Sequence, residues 1–98
     1  MRSGRSERRR ALVVQARMQK IPGPMGIGFT ATKKIGNAVV RNRAKRRLRE
    51  AARHLLPLHG VAGCDYVFIA RLDTASTEWK RLLDDMESAL ISLAKQLK

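Results

Sequence analysis

Asn37-Ala-Val-Val-Arg-Asn-Arg-Ala-Lys-Arg-Arg-Leu-Arg-Glu-Ala-Ala-Arg-His-Leu-Leu56 is the stretch on which the fold turns. Gly36 ahead of it permits a sharp turn, and Asn37 is a good N-cap because its side-chain oxygen can accept from an early helical N–H. Pro57 and Gly60 close the segment, so a helix is expected from Ala38 to about Leu56. At about 100° per residue, Val40, Ala44, Leu48, Ala51 and Leu55 fall within about 80° of one another, so one narrow stripe packs inward. Arg41, Arg43, Lys45, Arg46, Arg47, Arg49 and Arg53 fill the remaining arc, opposed only by Glu50. Like-charge neighbours four apart, such as Arg41 with Lys45, cost a few tenths of a kcal/mol each, so this crowding implies an anionic partner. Arginine dominates over lysine. Its planar fork bonds two phosphate oxygens and stacks on bases, which suits RNA better than bulk charge would.

The rest of the chain sets this helix in an α+β frame. Ala11-Leu-Val-Val-Gln-Ala16 is β-branched and apolar, and Ile21-Pro-Gly-Pro-Met-Gly26 is a connection. Gly28-Phe-Thr-Ala-Thr32 alternates, with Phe29 and Ala31 on one face and Thr30 and Thr32 on the other, so it reads as a second strand pairing antiparallel with the first. Tyr66-Val-Phe-Ile-Ala70 is a third, buried strand. From about Thr77, Trp79, Leu82, Leu83, Met86, Leu90, Leu93 and Leu97 recur at threes and fours, giving an amphipathic C-terminal helix with Trp79 as a core anchor. The expected architecture is a two-layer sandwich, a small mixed sheet packed with the arginine-rich helix and the last helix. Residues 1–10 carry five arginines and little that is apolar, so they are expected to be a flexible basic arm preceding one domain over 11–98.

Charge narrows the function. The net charge is +13, and residues 1–56 hold 16 Lys or Arg against two acids, whereas residues 57–98 hold five against six. Such segregation points to phosphate contact. The lone Cys64 excludes an internal disulfide, and the charged start Met1-Arg-Ser-Gly-Arg5 does not read as a secretory signal, so a reducing cytoplasm is expected. No run is apolar enough for a membrane span. His54 and His59 lack companions at metal-ligand spacing. Asp84, Asp85 and Glu87 read as the solvated face of the last helix, and an independent metal-dependent nuclease built on them is the weakest of three readings. A general RNA-binding, ribosome-associated or architectural protein is the second. No helix-turn-helix, zinc-finger or aromatic RNA-recognition signature is present, and Lys33-Lys-Ile-Gly36 is no P-loop.

The first reading comes from a resemblance. Lys33-Lys-Ile-Gly-Asn-Ala-Val-Val-Arg-Asn-Arg-Ala-Lys-Arg-Arg-Leu-Arg-Glu50, with Arg41-Asn42-Arg43 at its core, resembles the signature of the bacterial ribonuclease P protein subunit, and the likeness runs from about Ala11 through Asp65-Tyr-Val-Phe-Ile-Ala-Arg71 to the final helix. It implies a fold like ribosomal protein S5 domain 2, with a left-handed strand-helix-strand crossover against the usual hand. It also implies a non-catalytic subunit that binds a catalytic RNA and precursor tRNA and helps that RNA remove the 5′ leader with magnesium. No further protein partner would be needed and no catalytic residue or metal site would lie in the protein. By this resemblance Lys33, Lys34, Asn37, Arg41, Asn42, Arg43, Lys45, Arg46, Arg47, Arg49 and Arg53 would bind RNA. A leader cleft would draw on Leu12, Val14, Thr30, Thr32, Arg41, Lys45 and Arg49, with Arg43, Arg46 and Arg53 turned toward the RNA subunit. Family members begin with a helix whose aromatic residues complete that cleft. Here the first strand follows only about ten residues, so that wall is expected to be missing unless the start is truncated, and Leu12 and Val14 stand where an aromatic platform is expected, leaving Phe29 or Tyr66 to substitute.

Overall fold

The computed structural model describes residues 4–97, arranged as β1 (Gly4–Arg8), β2 (Leu12–Met18), β3 (Ile27–Thr30), a short 3-10 turn (Lys33–Ile35), α1 (Ala38–His59), β4 (Cys64–Ala70) and α2 (Trp79–Leu97). The four strands form one mixed sheet in the order β1-β2-β4-β3. Residues β2 and β4 pair antiparallel from Leu12 opposite Ala70 to Met18 opposite Cys64, while β3 lies parallel to β4 with Phe29 beside Phe68.

This order corrects the expectation that the first two apolar strands pair with each other. β4 separates them. Its Cys64, Tyr66, Phe68 and Ala70 are all buried on one face, and like β2 it has a neighbour on each side. A strand so apolar gains most from the centre, whereas the four-residue β3, with Ile27 and Thr30 exposed, tolerates an edge.

Leu12, Val14 and Ala16 of β2 share β4's buried face, and both helices cover it, α2 over β1 and β2 and α1 over β3 and β4. Two layers result. Ala44, Leu48, Ala51, Ala52 and Leu55 of α1 meet Leu82, Met86, Ala89, Leu90 and Leu93 of α2 in one core. Burying each leucine or methionine among them stabilises by roughly 1.5–3 kcal/mol. The opposite sheet face, with Ser6, Gln15, Arg17, Val67 and Thr30, carries no helix among the described residues.

Three further expectations change. Gly4–Arg8 forms β1, antiparallel to β2, so this part of the basic arm is ordered sheet, while residues 1–3 of that arm lie outside the described residues. Polar residues suffice there because an edge strand is held by backbone ladders, and Glu7 adds bonds to Arg9 at 2.8 Å and Gln96 at 2.6 Å. Helix α1 runs through Pro57 to His59, because proline's fixed φ is helical and near the end the missing N–H forfeits a single bond. The Gly60 N–H then closes on the Leu56 carbonyl at 2.8 Å. Trp79 opens α2 at 37% exposure and is no core anchor.

Candidate nucleic-acid interface

The candidate interface is centred on α1, and the start of that helix is set locally. Gly36 has φ 145°, and a Cβ there would meet Val40 Cβ at 2.9 Å, so only glycine fits this turn. The Asn37 side chain accepts from Val40 N at 3.0 Å, which is the expected cap, so that oxygen is committed to the helix. Lys33 and Lys34 project from the exposed turn ahead of it.

The cationic residues of α1 divide by direction. Asn42, Arg43, Arg46, Arg49 and Arg53 are exposed, and Arg53 pairs with Glu50 at 3.0 Å, a contact worth little in water. Arg41 is half-buried and donates to the Gly36 carbonyl at 3.0 Å, and Lys45 is half-buried. Arg47 departs from expectation. Its guanidinium donates to the carbonyls of Thr74 at 2.7 Å and Thr77 at 2.5 Å and lies 5.9 Å from the Trp79 ring centroid. Burial and the charge of nearby Arg43 lower its pKa. It fastens the turn before α2 to α1, so its fork is occupied and it is removed from the RNA-binding set. Helical periodicity could place Arg47 on a flank but could not say what packs beside that flank.

The expected leader cleft is also redrawn. Leu12 and Val14 are 0% exposed beneath the helices and cannot touch a ligand. Tyr66 is equally buried, its hydroxyl accepting from Val61 N at 2.9 Å, so it provides no stacking platform. Phe29 is partly open, with the Arg49 guanidinium carbon 5.4 Å from its ring centroid. That contact places Arg49 on the helix side of β3, whereas Thr30 faces the open side with Ile69. The Arg41, Lys45 and Arg49 stripe and Thr30 therefore lie on opposite sides of an edge strand and do not line one cleft. Thr32 lies past the end of β3, at the start of the 3-10 turn. Arg53, expected to point away, shares with Arg49 a groove along the β3 flank.

The open sheet face carries features that the sequence reading missed. Gln15, Arg17, Asp65 and Val67, with Arg5 and Ser6 from β1, line a shallow groove. Recognising it required the pairing of β1, which no hydrophobic pattern signals. At its end Asp65 Oδ1 accepts from Gln19 Nε2 and from Gly26 N, both at 2.8 Å, clamping the β2–β3 connection. A Cβ on Gly26 would sit 2.8 Å from that oxygen, so glycine is required for the approach.

Two of the acidic residues of α2 have structural partners. Asp85 accepts from Ala11 N at 3.1 Å and Glu87 faces His59 at 2.9 Å. Among the described residues no three His, Cys, Asp or Glu side chains gather where they could hold a metal, and no helix is long and apolar enough to cross a membrane.

A two-layer domain that lays a polycationic helix over one face of a mixed sheet defines a class: a small basic α+β protein with an arginine-rich outer face. Comparison with known proteins gives the particular family. The family profile described as Ribonuclease P matches residues 1–94, so the chain belongs to the ribonuclease P protein family. It is 61% identical over 90 residues to the ribonuclease P protein component of Caulobacter vibrioides, covering 91% of this chain and 60% of that one. The corresponding component of Ruegeria pomeroyi is 52% identical, with 95% of this chain and 78% of the relative covered. The chain thus spans about 60% of the length of the Caulobacter relative. The RNase P protein of Staphylococcus aureus superimposes with a TM-score of 0.75 at 29% identity, over 99% of this chain and 86% of that one. That of Thermotoga maritima, 22% identical with a TM-score of 0.73 over 99% of this chain and 86% of that one, shares the fold.

Proposed function

We propose that this chain acts as the protein subunit of ribonuclease P, helping a catalytic RNA to remove the 5′ leader from precursor tRNA by endonucleolytic cleavage. The observation that carries the reading is the outer arc of α1, where Arg43, Arg46, Arg49 and Arg53 are exposed on a helix whose inner stripe is locked into the core, within the family's signature sequence. A rigid helix holds these charges in register with a phosphate backbone, which gives affinity and orientation. In this reading Lys33, Lys34, Asn42, Arg43 and Arg46 meet the RNA subunit. The single-stranded leader lies along the open sheet face, over Gln15, Arg17, Val67 and Thr30. The β3–α1–β4 connection would be left-handed, as in ribosomal protein S5 domain 2.

The protein supplies positioning and charge, and the hydrolytic step belongs to the RNA with its magnesium. No protein carboxylate cluster is needed for that division of labour, and Asp85 and Glu87 of α2 are engaged in holding the fold. The working site would be the cytoplasm.

The test is cleavage of a precursor tRNA by a bacterial ribonuclease P RNA at low magnesium, with and without the protein, beside a protein-only lane. RNA-dependent stimulation supports the subunit reading. Tight binding to the RNA without stimulation would favour a general RNA-binding role, and cutting in the protein-only lane would overturn both.

A further inference from the structure

The flank of α1 that faces β3 forms a groove to which no ligand has been assigned so far. Ile27 and Phe29 of β3, with Ala52, Leu56 and Pro57 of α1, floor a groove of about 350 Å³, at the lower end of ligand-site volumes and suited to one planar group. The charged residues on its rim are both arginines, Arg49 and Arg53. Phe29 is held flat by stacking on Phe68, centroids 5.5 Å apart and planes 18° from parallel. Arg49 lies over the Phe29 ring at 5.4 Å, looser than the roughly 3.5–4.0 Å of close contact. It makes no hydrogen bond or ion pair among the described residues, so its fork is uncommitted. β3 is an edge strand, so the outer side of Ile27–Thr30 offers backbone donors and acceptors with no strand beside them.

An apolar floor with a fixed aromatic ring, a rim of cations and an open backbone edge matches a planar heterocycle attached to a phosphate. We infer that the Phe29–Arg49 pair receives one unpaired nucleobase of RNA, which stacks on Phe29 under a raised Arg49 while Arg53 meets the adjoining phosphate. This rests on the RNA-binding reading. The base could come from the leader or from the RNA subunit, and the chemistry of recognition is the same for both.

Two probes separate the sources: a short single-stranded RNA with a leader sequence, and a bacterial ribonuclease P RNA. Base stacking on an aromatic ring predicts that Phe29→Leu weakens binding of one probe by about 5- to 100-fold. The slope of log K against log salt stays the same, because no phosphate contact is lost. Phe29→Trp keeps the affinity, and its added fluorescence, after subtraction of the parent's Trp79 signal, is quenched by the same probe. Loss and quenching with the leader assign the base to the leader, and with the catalytic RNA to the RNA subunit. Less than about a 2-fold change with both probes, together with no quenching, overturns the inference. Should Phe29→Leu fail to fold by circular dichroism, the quenching of Phe29→Trp decides alone. A parent chain that binds neither probe would instead sink the RNA-binding reading.

Discussion

Arg46 and Arg47 are neighbours in sequence and opposites in use. Arg46 stands on the outer arc of α1, exposed, while Arg47 turns against the 74–77 segment and ties two backbone carbonyls. The same contrast divides the whole helix, between an outer arc with charges free for a partner and an α2 flank with charge spent on the fold. A basic helix is therefore not a uniform cationic rod. Counting its arginines overstates the surface it offers.

The largest expected effect lies on the outer arc. Arg43→Ala with Arg46→Ala should weaken binding to a catalytic RNA by about 10- to 100-fold and lower the salt slope by about two, leaving the thermal midpoint in place. Titration across a salt series measures this, and an unchanged slope would break the division. Arg47→Leu should do the reverse. Loss of two bonds from a charged donor costs about 1.5–3 kcal/mol of stability, read as a fall in the melting midpoint, with the salt slope kept. A lowered slope in a folded Arg47→Leu chain would return Arg47 to the interface.

Asn37 sharpens the same contrast at the helix start. Asn37→Ala should cost about 1 kcal/mol through the lost cap, while Asn37→Ser restores it. If the serine variant is stable yet binds RNA poorly, Asn37 contacts RNA as well as capping. The smallest effect is expected at Asp65, where hydrogen bonds from Gln19 and from the Gly26 N–H hold the carboxyl below its ordinary range. A carboxyl depressed in the folded state adds stability above its ordinary pKa of about 3.9, and that stability is lost as pH falls through the lower folded value. Melting midpoints followed down to about pH 2 should drop less in Asp65→Asn than in the parent. Parallel curves would show that the clamp contributes nothing measurable.

Much of this was legible in the sequence because it is local. The cap at Asn37, the inner stripe Ala44, Leu48, Ala51 and Leu55, and the buried strand at Tyr66–Ala70 each follow from short-range pattern and appear as expected. What escaped depends on neighbours remote in sequence. Gly4–Arg8 has no apolar alternation and becomes a strand only because β2 offers a free edge. The assignment of Leu12 and Val14 to a cleft, made from the resemblance, failed because both side chains face the helices, and which face of a strand the helices cover is set by remote neighbours. Arg47 was misread for a like reason, since Thr74 and Thr77 are 27 and 30 residues away. The family signature drew attention to α1, and the packing shows which of its cations are already engaged.

The insertion of β4 between β2 and β3 bears on how the chain is made. On a ribosome, β2, β3 and α1 emerge before the strand that joins them, so until Ala70 is synthesised the sheet has no centre and α1 no completed surface to lie on. During that interval the inner stripe of α1 is uncovered while its arginines are already exposed. The nascent helix is thus a polycation before it is part of a domain, close to the ribosome's own RNA. The stripe is hidden only when β4 and then α2 have followed, because Leu82, Met86, Leu90 and Leu93 complete its cover.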